Sequence, residues 1–218
     1  MQPQFWHDRW RLGQIGFHQA AADSSLTRLW STLDLPPGSR VFVPLCGKTL
    51  DLLWLRDQGH EVLGVELSDL AVQAFCAENG VPARRRVLAD ADLYEAPGLT
   101  LLRADLFAVT AGQLGHIDAV YDRAALIAWE PSQRAAYARH LTALTRPGTP
   151  TLLITLEYPA GQIAGPPFPV TAGEVEALYG AQHRIEQLSR RDILAADARM
   201  RQRGVTELIE TVYRLVRR

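Results

Sequence analysis

Residues 40–66 read RVFVPLCGKTLDLLWLRDQGHEVLGVE, and this stretch decides the fold. Arg40-Val41-Phe42-Val43-Pro44-Leu45 is a short β-prone run that ends on Cys46-Gly47. Thr49 to Gln58 carries Leu and Trp at helical spacing, and Gly59 closes it. Glu61 to Glu66 is a second β-prone run. Strand, glycine turn, helix and strand in so short a span make a βαβ unit, which winds right-handed into a parallel sheet.

The pattern continues on both sides. Ser68 is a good N-cap for a helix through about Glu78, closed by Asn79-Gly80. Leu99–Ala104 and Ile117–Tyr121 read as a third and a fourth strand. Pro131 suits the first turn of a helix running to Leu144, which Pro147-Gly148 breaks. Thr151–Leu156 is a fifth strand, followed by a Gly/Pro loop at 159–169 and by a short helix capped by Thr171 and ending near Tyr179. Two closing runs, His183–Leu188 and Thr206–Val216, read as an antiparallel pair at one edge. Before the first strand, Trp6, Trp10, Ile15, Leu26, Leu29 and Leu33 give a helical stripe in two pieces, stopped by Pro36-Pro37-Gly38. The expectation is an α/β, Rossmann-like fold: a mostly parallel seven-stranded sheet with helices on both faces and an antiparallel edge hairpin. No linker divides the chain, so residues 1–218 are read as one domain, with 1–35 a helical extension over a core of 36–218.

Composition narrows the function classes. The chain has 218 residues, 47% hydrophobic, with 23 basic against 24 acidic side chains. A net charge of -1 offers no field for a polyanion, so neither nucleic acid nor an anionic membrane is expected as partner. Two cysteines, Cys46 and Cys76, make no disulfide framework or CxxC pair, and the six histidines show no metal-ligand spacing. The N-terminal residues have no continuous apolar core, and no run approaches the roughly 18 apolar residues of a membrane helix. A cytoplasmic monomer acting on a small molecule is the expectation.

In open α/β sheets ligands bind beyond the C-terminal ends of the strands. Gly47 stands at the first such end, where backbone must approach a ligand closely. Glu66 lies at the tip of the second strand, at the spacing from Gly47 where an acid accepts hydrogen bonds from both ribose hydroxyls of an adenosyl cofactor. A dinucleotide needs a pyrophosphate cradle, usually G-x-G-x-x-G, whereas Leu45-Cys46-Gly47-Lys48-Thr49 has one glycine. S-adenosylmethionine carries no phosphate and tolerates the sparser loop. At the third strand end, Asp105 is placed to accept from the adenine amino group and Leu106 to pack on the ring. Cys46 has no histidine near it in sequence, and packing is its expected role.

These residues carry a family resemblance. Phe5-Trp6-His7-Asp8-Arg9-Trp10, Ile15-Gly16-Phe17-His18, Val43-Pro44-Leu45-Cys46-Gly47-Lys48, Gly64-Val65-Glu66-Leu67-Ser68, Tyr121-Asp122-Arg123-Ala124-Ala125-Leu126 and Gly165-Pro166-Pro167-Phe168 resemble, in order, the motifs of the thiopurine S-methyltransferases, bacterial branch. The resemblance implies a class I methyltransferase that uses S-adenosylmethionine and releases S-adenosylhomocysteine. It implies that Trp10, Leu45, Glu66 and Arg123 contact the cofactor, that Asp105 and Leu106 stand where the family touches adenine, and that Phe17, Pro166 and Arg199 line the acceptor pocket. Asp105 departs from members with a small polar residue there. A short alignment slip exchanges Arg199 with Arg201 or Arg203. Arg123 and Arg199, always protonated, are the candidate catalytic cations that stabilise an anionic acceptor. The N-terminal stripe is expected to close over the site. The alternatives are a selenium, tellurium, halide or small-thiol methyltransferase on the same fold, a nicotinamide-dependent oxidoreductase, or a protein that binds S-adenosylmethionine without catalysis.

Overall fold

The computed structural model describes residues 3–88 and 91–218. The chain divides into two compact units, Met1–Tyr121 and Asp122–Arg218.

The first unit opens with helix α1 (Pro3–Arg11) and helix α2 (Ser24–Leu29). Asp23 caps α2, its carboxylate accepting from the N–H groups of Ser25 and Leu26. Strand β1 (Arg40–Pro44), helix α3 (Asp51–Asp57), strand β2 (Glu61–Glu66) and helix α4 (Asp69–Glu78) follow. Next come strands β3 (Arg84–Val87), β4 (Asp92–Ala96) and β5 (Leu99–Arg103), helix α5 (Ala111–Leu114) and strand β6 (Ala119–Arg123), whose last two residues begin the second unit. The strand order in this unit is β3-β4-β5-β2-β1-β6. β1 lies parallel to β2, with Arg40 opposite Glu61, and parallel to β6; β2 lies parallel to β5. Val41, Phe42, Val43, Val62, Leu63, Val65 and Leu101 are all buried. Such unbroken apolar runs are what a parallel strand covered on both faces requires.

The structure adds β3 and β4 to the seven strands expected, β3 antiparallel to β4 and β4 antiparallel to β5. β3 is four exposed residues, three of them arginine, so neither alternation nor hydrophobicity marks it. What holds this corner is Asp92, which is buried and accepts from Arg85 and Arg103 at 2.8 Å each. The fourth expected strand is displaced. Asp118 accepts the backbone N–H of Arg40 at 2.8 Å, and the strand begins after it and runs through Asp122 and Arg123.

The second unit holds helix α6 (Pro131–Leu144), strand β7 (Pro150–Glu157), helix α7 (Ala172–Tyr179), strand β8 (His183–Asp192), helix α8 (Ala198–Gln202) and strand β9 (Ile209–Arg217). Its order is β7-β9-β8, antiparallel throughout, so the closing pair forms as expected and β9 also pairs with β7. Pro131 occupies the first turn of α6, and Thr171 caps α7 by accepting from the Glu174 N–H at 3.2 Å. The five residues of α8 are too few for a hydrophobic period to reveal. Among the described residues no helix is long and apolar enough to cross a membrane.

Candidate active site

The turn after β1 is built around one carboxylate. Leu45 has φ 47 and Gly47 has φ 55, both in the left-handed region, so the chain doubles back directly beyond the strand. The Gly47 N–H donates to Glu66 Oε2 at 2.8 Å, and the Ser68 N–H donates to Glu66 Oε1 at 2.7 Å. Glu66 is 6% exposed. Burial pushes its carboxyl upward in pKa, and the N–H groups of Ser68, Gly47 and Leu67 pull it back. Gly47 donates to one oxygen and Ser68 to the other, and a carboxylate with about four lone-pair sites keeps acceptor capacity beyond these main-chain donors.

Small residues let the turn sit there. A Cβ on Gly64 would fall 2.7 Å from Cys46 Sγ and 2.7 Å from Leu101 Cδ2. Cys46 is therefore packed against β2, and burial pushes its thiol up in pKa, away from nucleophile chemistry. Lys48, the sole lysine of the chain, ties the loop to α4 by donating Nζ to both oxygens of Glu78 at 2.7 and 2.8 Å. Asp51, at the start of α3, is 1% exposed; it accepts from the Asp23 N–H at 2.7 Å and from the Tyr121 hydroxyl at 3.0 Å. The turn is thus fixed from three sides by polar contacts distant in sequence.

The N-terminal aromatics reach this turn. Trp10 and Phe17 lie edge to face with ring centroids 5.7 Å apart, and Trp6 joins Phe17 at 5.9 Å. A Cβ on Gly47 would meet Trp10 Cζ2 at 3.2 Å and Phe17 Cε2 at 4.0 Å. Trp10, Phe17, Leu45, Gly47 and Glu66 are thus brought together by the fold. At the end of β5, Asp105 is exposed and accepts from the Phe107 N–H at 3.0 Å, capping a single 3₁₀ turn in which Leu106 is 2% exposed. A cavity of about 320 Å³ lies beside Ser68 and Asp69, with His7, Asp8 and Arg11 of α1 and Arg103 of β5 among its lining. None of the expected cofactor residues lines it.

In the second unit, Arg123 is half-buried at the end of β6, and Ala124 after it has φ 59. Asp122, on its other side, is fully buried. It accepts from the Leu126 N–H at 3.1 Å and from the Tyr137 hydroxyl of α6 at 2.8 Å. Burial raises the Asp122 carboxyl to about 6 against the pull of these two donors. Pro166 sits in the loop before α7, where the Gly165–Pro166 and Pro166–Pro167 bonds are both cis. A Cβ on Gly165 would overlap the Phe168 ring. The Phe168 N–H donates to Ile127 O at 2.8 Å, and the Tyr158 hydroxyl donates to Pro167 O at 2.6 Å. Arg199 is exposed on α8. Met200 beside it packs with Tyr158, Val205 and Leu208, so the Pro166 loop and α8 share one small core.

Sequence reading missed Ser68 as a partner of Glu66, and it missed Tyr137 as a partner of Asp122. Ser68 was marked as a helix cap and as part of a family motif, neither of which pairs it with Glu66, and nothing marked Tyr137. Among the described residues no group of histidine, cysteine or carboxylate side chains is arranged to hold a metal ion.

The fold is that of the class I methyltransferases. It is similar to the 1,6-didemethyltoxoflavin-N1-methyltransferase of Burkholderia thailandensis, with TM-score 0.64 at 15% identity over 97% of this chain and 86% of that one. It is also similar to a TehB-like SAM-dependent methyltransferase from Corynebacterium glutamicum, with TM-score 0.57 at 13% identity over 99% of this chain and 98% of that one. The family model for thiopurine S-methyltransferase matches residues 1–218, and the chain belongs to that family. Relatives named thiopurine S-methyltransferase are 46% identical in Nitrosospira multiformis, over 100% of this chain and 99% of the relative. In Pseudomonas paraeruginosa the figure is 49%, over 100% of both.

Proposed function

We propose that this protein transfers the methyl group of S-adenosylmethionine to the sulfur of thiopurines and similar aromatic or heterocyclic thiols. The observation that carries the reading is the Glu66 carboxylate at the end of β2, held by the Gly47 and Ser68 N–H groups at 2.8 and 2.7 Å. Its two oxygens retain acceptor capacity for a vicinal pair of hydroxyls, which is the donor set of a ribose. The loop beside it has one glycine and suits a cofactor without phosphate. The residues present therefore fit S-adenosylmethionine.

In this reading Glu66 binds the ribose, Asp105 and Leu106 meet the adenine, and Leu45 and Gly47 lie against the cofactor. Trp10 covers it, and Arg123 stands at its reacting end. When bound, S-adenosylmethionine supplies a methyl group already activated by a sulfonium. The acceptor sulfur then needs only alignment, an anionic lone pair and a water-poor site. The new sulfur–carbon bond forms as the methyl–sulfonium bond breaks, and that electron pair leaves with S-adenosylhomocysteine. Arg123 and Arg199 hold negative charge on the acceptor, so no enzyme base is required. Phe17 and Pro166 supply apolar surface to the acceptor ring, and the N-terminal aromatics exclude water. The whole chain acts as one methyltransferase domain, a cytoplasmic monomer.

The test is incubation of the purified protein with S-adenosylmethionine and 6-mercaptopurine, following S-adenosylhomocysteine and the S-methyl product by mass spectrometry. Product that is lost in Glu66→Ala supports the reading. Tight cofactor binding without product would move the acceptor to selenium, tellurium or halide species. No cofactor binding would refute it.

A further inference from the structure

Helix α6 sends two fully buried side chains to the segment that carries Arg123, and one of them reaches further. Tyr137 donates its hydroxyl to Asp122 Oδ2 at 2.8 Å, and Asp122 Oδ1 accepts the Leu126 N–H at 3.1 Å. Arg134 precedes Tyr137 on α6 and is 0% exposed. Its Nε donates to the Trp129 carbonyl at 3.0 Å, just beyond the Arg123 turn. Its Nη1 donates to both oxygens of Glu174 on α7, at 2.7 and 2.6 Å.

The loop that carries Pro166 leads into α7. The Phe168 N–H fixes it to the Ile127 carbonyl at 2.8 Å, and further along the chain Glu174 fixes it to Arg134. Ile127 and Trp129 belong to the stretch that follows the Arg123 turn. Turn and loop are therefore joined twice, once by main chain and once through the guanidinium. Burial raises the Tyr158 hydroxyl in pKa, and the charges of Arg203 and Arg134 pull it back, so Arg134 stands near the hydroxyl that holds the Pro167 carbonyl. An ion pair on a fully buried arginine is a poor route to stability, since apolar side chains of similar volume often serve as well. What a guanidinium adds is fixed geometry. It is planar and rigid, so Nε and Nη1 hold the Trp129 carbonyl and the Glu174 carboxylate at one separation.

We infer that Arg134 is a positioning residue for the methyl acceptor, which through Glu174 holds the Arg123 turn and the Pro166 loop at a fixed separation. The inference rests on the function proposed above, which places Arg123 and Pro166 at the acceptor. Arg134 acts through these two segments and takes no part in the chemistry. Tied together, they hold an acceptor ring in one orientation; with the tie cut, the loop drifts and the ring binds in several. The Asp122–Tyr137 bond survives such a cut, so Arg123 keeps its aim. The loss then falls on acceptor binding and spares the cofactor.

The experiment compares wild type with Glu174→Gln, Glu174→Asp and Arg134→Lys. Leu144→Ala, a core variant at the far end of α6, is the control for lost stability. Measured for each are kcat and KM for 6-mercaptopurine, calorimetric affinity for S-adenosylmethionine, and Tm. A misplacement of about 1 Å can cost on the order of 100-fold, so Glu174→Gln should raise KM for 6-mercaptopurine by about tenfold or more. The same variant should lower kcat by less than about threefold and leave cofactor affinity within about twofold. Glu174→Asp should recover part of the loss. Arg134→Lys cannot reach both partners at once and should resemble Glu174→Gln. Leu144→Ala should lower Tm without raising KM. An active wild type whose Glu174→Gln and Arg134→Lys variants keep the acceptor KM overturns the inference. So does a rise in KM that comes with an equal loss of cofactor affinity and that Leu144→Ala reproduces at the same Tm, since that is a packing role. A wild type that binds cofactor but never methylates 6-mercaptopurine refutes the proposed function and the inference with it.

Discussion

The turns after β1 and after β6 solve the same backbone problem with opposite outcomes. Each places a non-glycine residue in the left-handed region directly beyond a strand, Leu45 at φ 47 and Ala124 at φ 59. Each is held by a buried carboxylate that accepts backbone N–H groups, Glu66 in one case and Asp122 in the other. Such backbone costs on the order of 1–3 kcal/mol and persists only where its surroundings over-determine it. The difference lies in the remaining partners. Glu66 is held by main-chain N–H groups alone, those of Gly47, Ser68 and Leu67. Asp122 also accepts the Tyr137 phenol and is fully buried. One carboxylate is held by main chain alone, and the other also takes a side-chain hydroxyl. In the proposed site the same residue chemistry divides into binding at Glu66 and positioning at Asp122 according to what fills the remaining lone pairs.

The comparison breaks most visibly at Glu66. In the proposed cofactor site Glu66→Ala removes two charge-assisted contacts to a ribose, and the cofactor Kd should rise on the order of 100-fold or more by isothermal calorimetry. A change below about threefold would mean that the open carboxylate is not a ligand group at all.

At Asp122 the sharper readout is stability against pH. Its carboxyl is raised to about 6 in the folded protein. A raised carboxyl stabilises the fold fully below its unfolded value near ~3.9, and that contribution is lost as pH rises through about 6. Asp122→Asn should remove this slope, worth on the order of 3 kcal/mol between the two limits, in denaturant melts from pH 4 to 7. An unchanged slope would show that Asp122 does not titrate in that window.

Tyr137→Phe sharpens the same point. The phenol pulls the Asp122 carboxyl down, so its loss should move the midpoint of that slope upward and lower stability by about 1–3 kcal/mol. The smallest effect is expected at Gly47. Gly47→Ala places a Cβ 3.2 Å from Trp10 at φ 55 and should cost about 1 kcal/mol of stability. Trp10 moves from the turn, and its fluorescence response to cofactor should weaken; an alanine variant with unaltered stability and response would show that the ring is not set by this contact.

The β1–β2 region was legible because it is local. Its strands are apolar runs, its turn carries the glycine, and the spacing from Gly47 to Glu66 is fixed by the length of one βαβ unit. The caps at Ser68 and Thr171 and the proline at the head of α6 are likewise local chemistry. The β6 turn was not legible in the same way. Tyr137 meets Asp122 from another element, and the start of β6 is set by the Asp118 bond to Arg40. The β3–β4 pair gives no hydrophobic signal, since its strands form by pairing beside β5 and by burying Asp92 between two arginines. The capping box of Thr110 and Gln113 at α5, by contrast, is a sequence signal that was passed over.

The sequence by itself determined the class of sheet, the family, and the glycine turn and acid of the first unit. Those depend on hydrophobic period, on left-handed backbone and on spacing along one unit. Only the tertiary structure decided that Glu66 is held by main chain while Asp122 also takes the Tyr137 phenol, and that Arg203 buries an Nη1 with no hydrogen-bond partner among the described residues. Three arginines within five residues, two on α8 and one directly after it, are chemically equal in the sequence. Burial and the supply of acceptors tell them apart, and both are set by residues that meet only when the chain has folded.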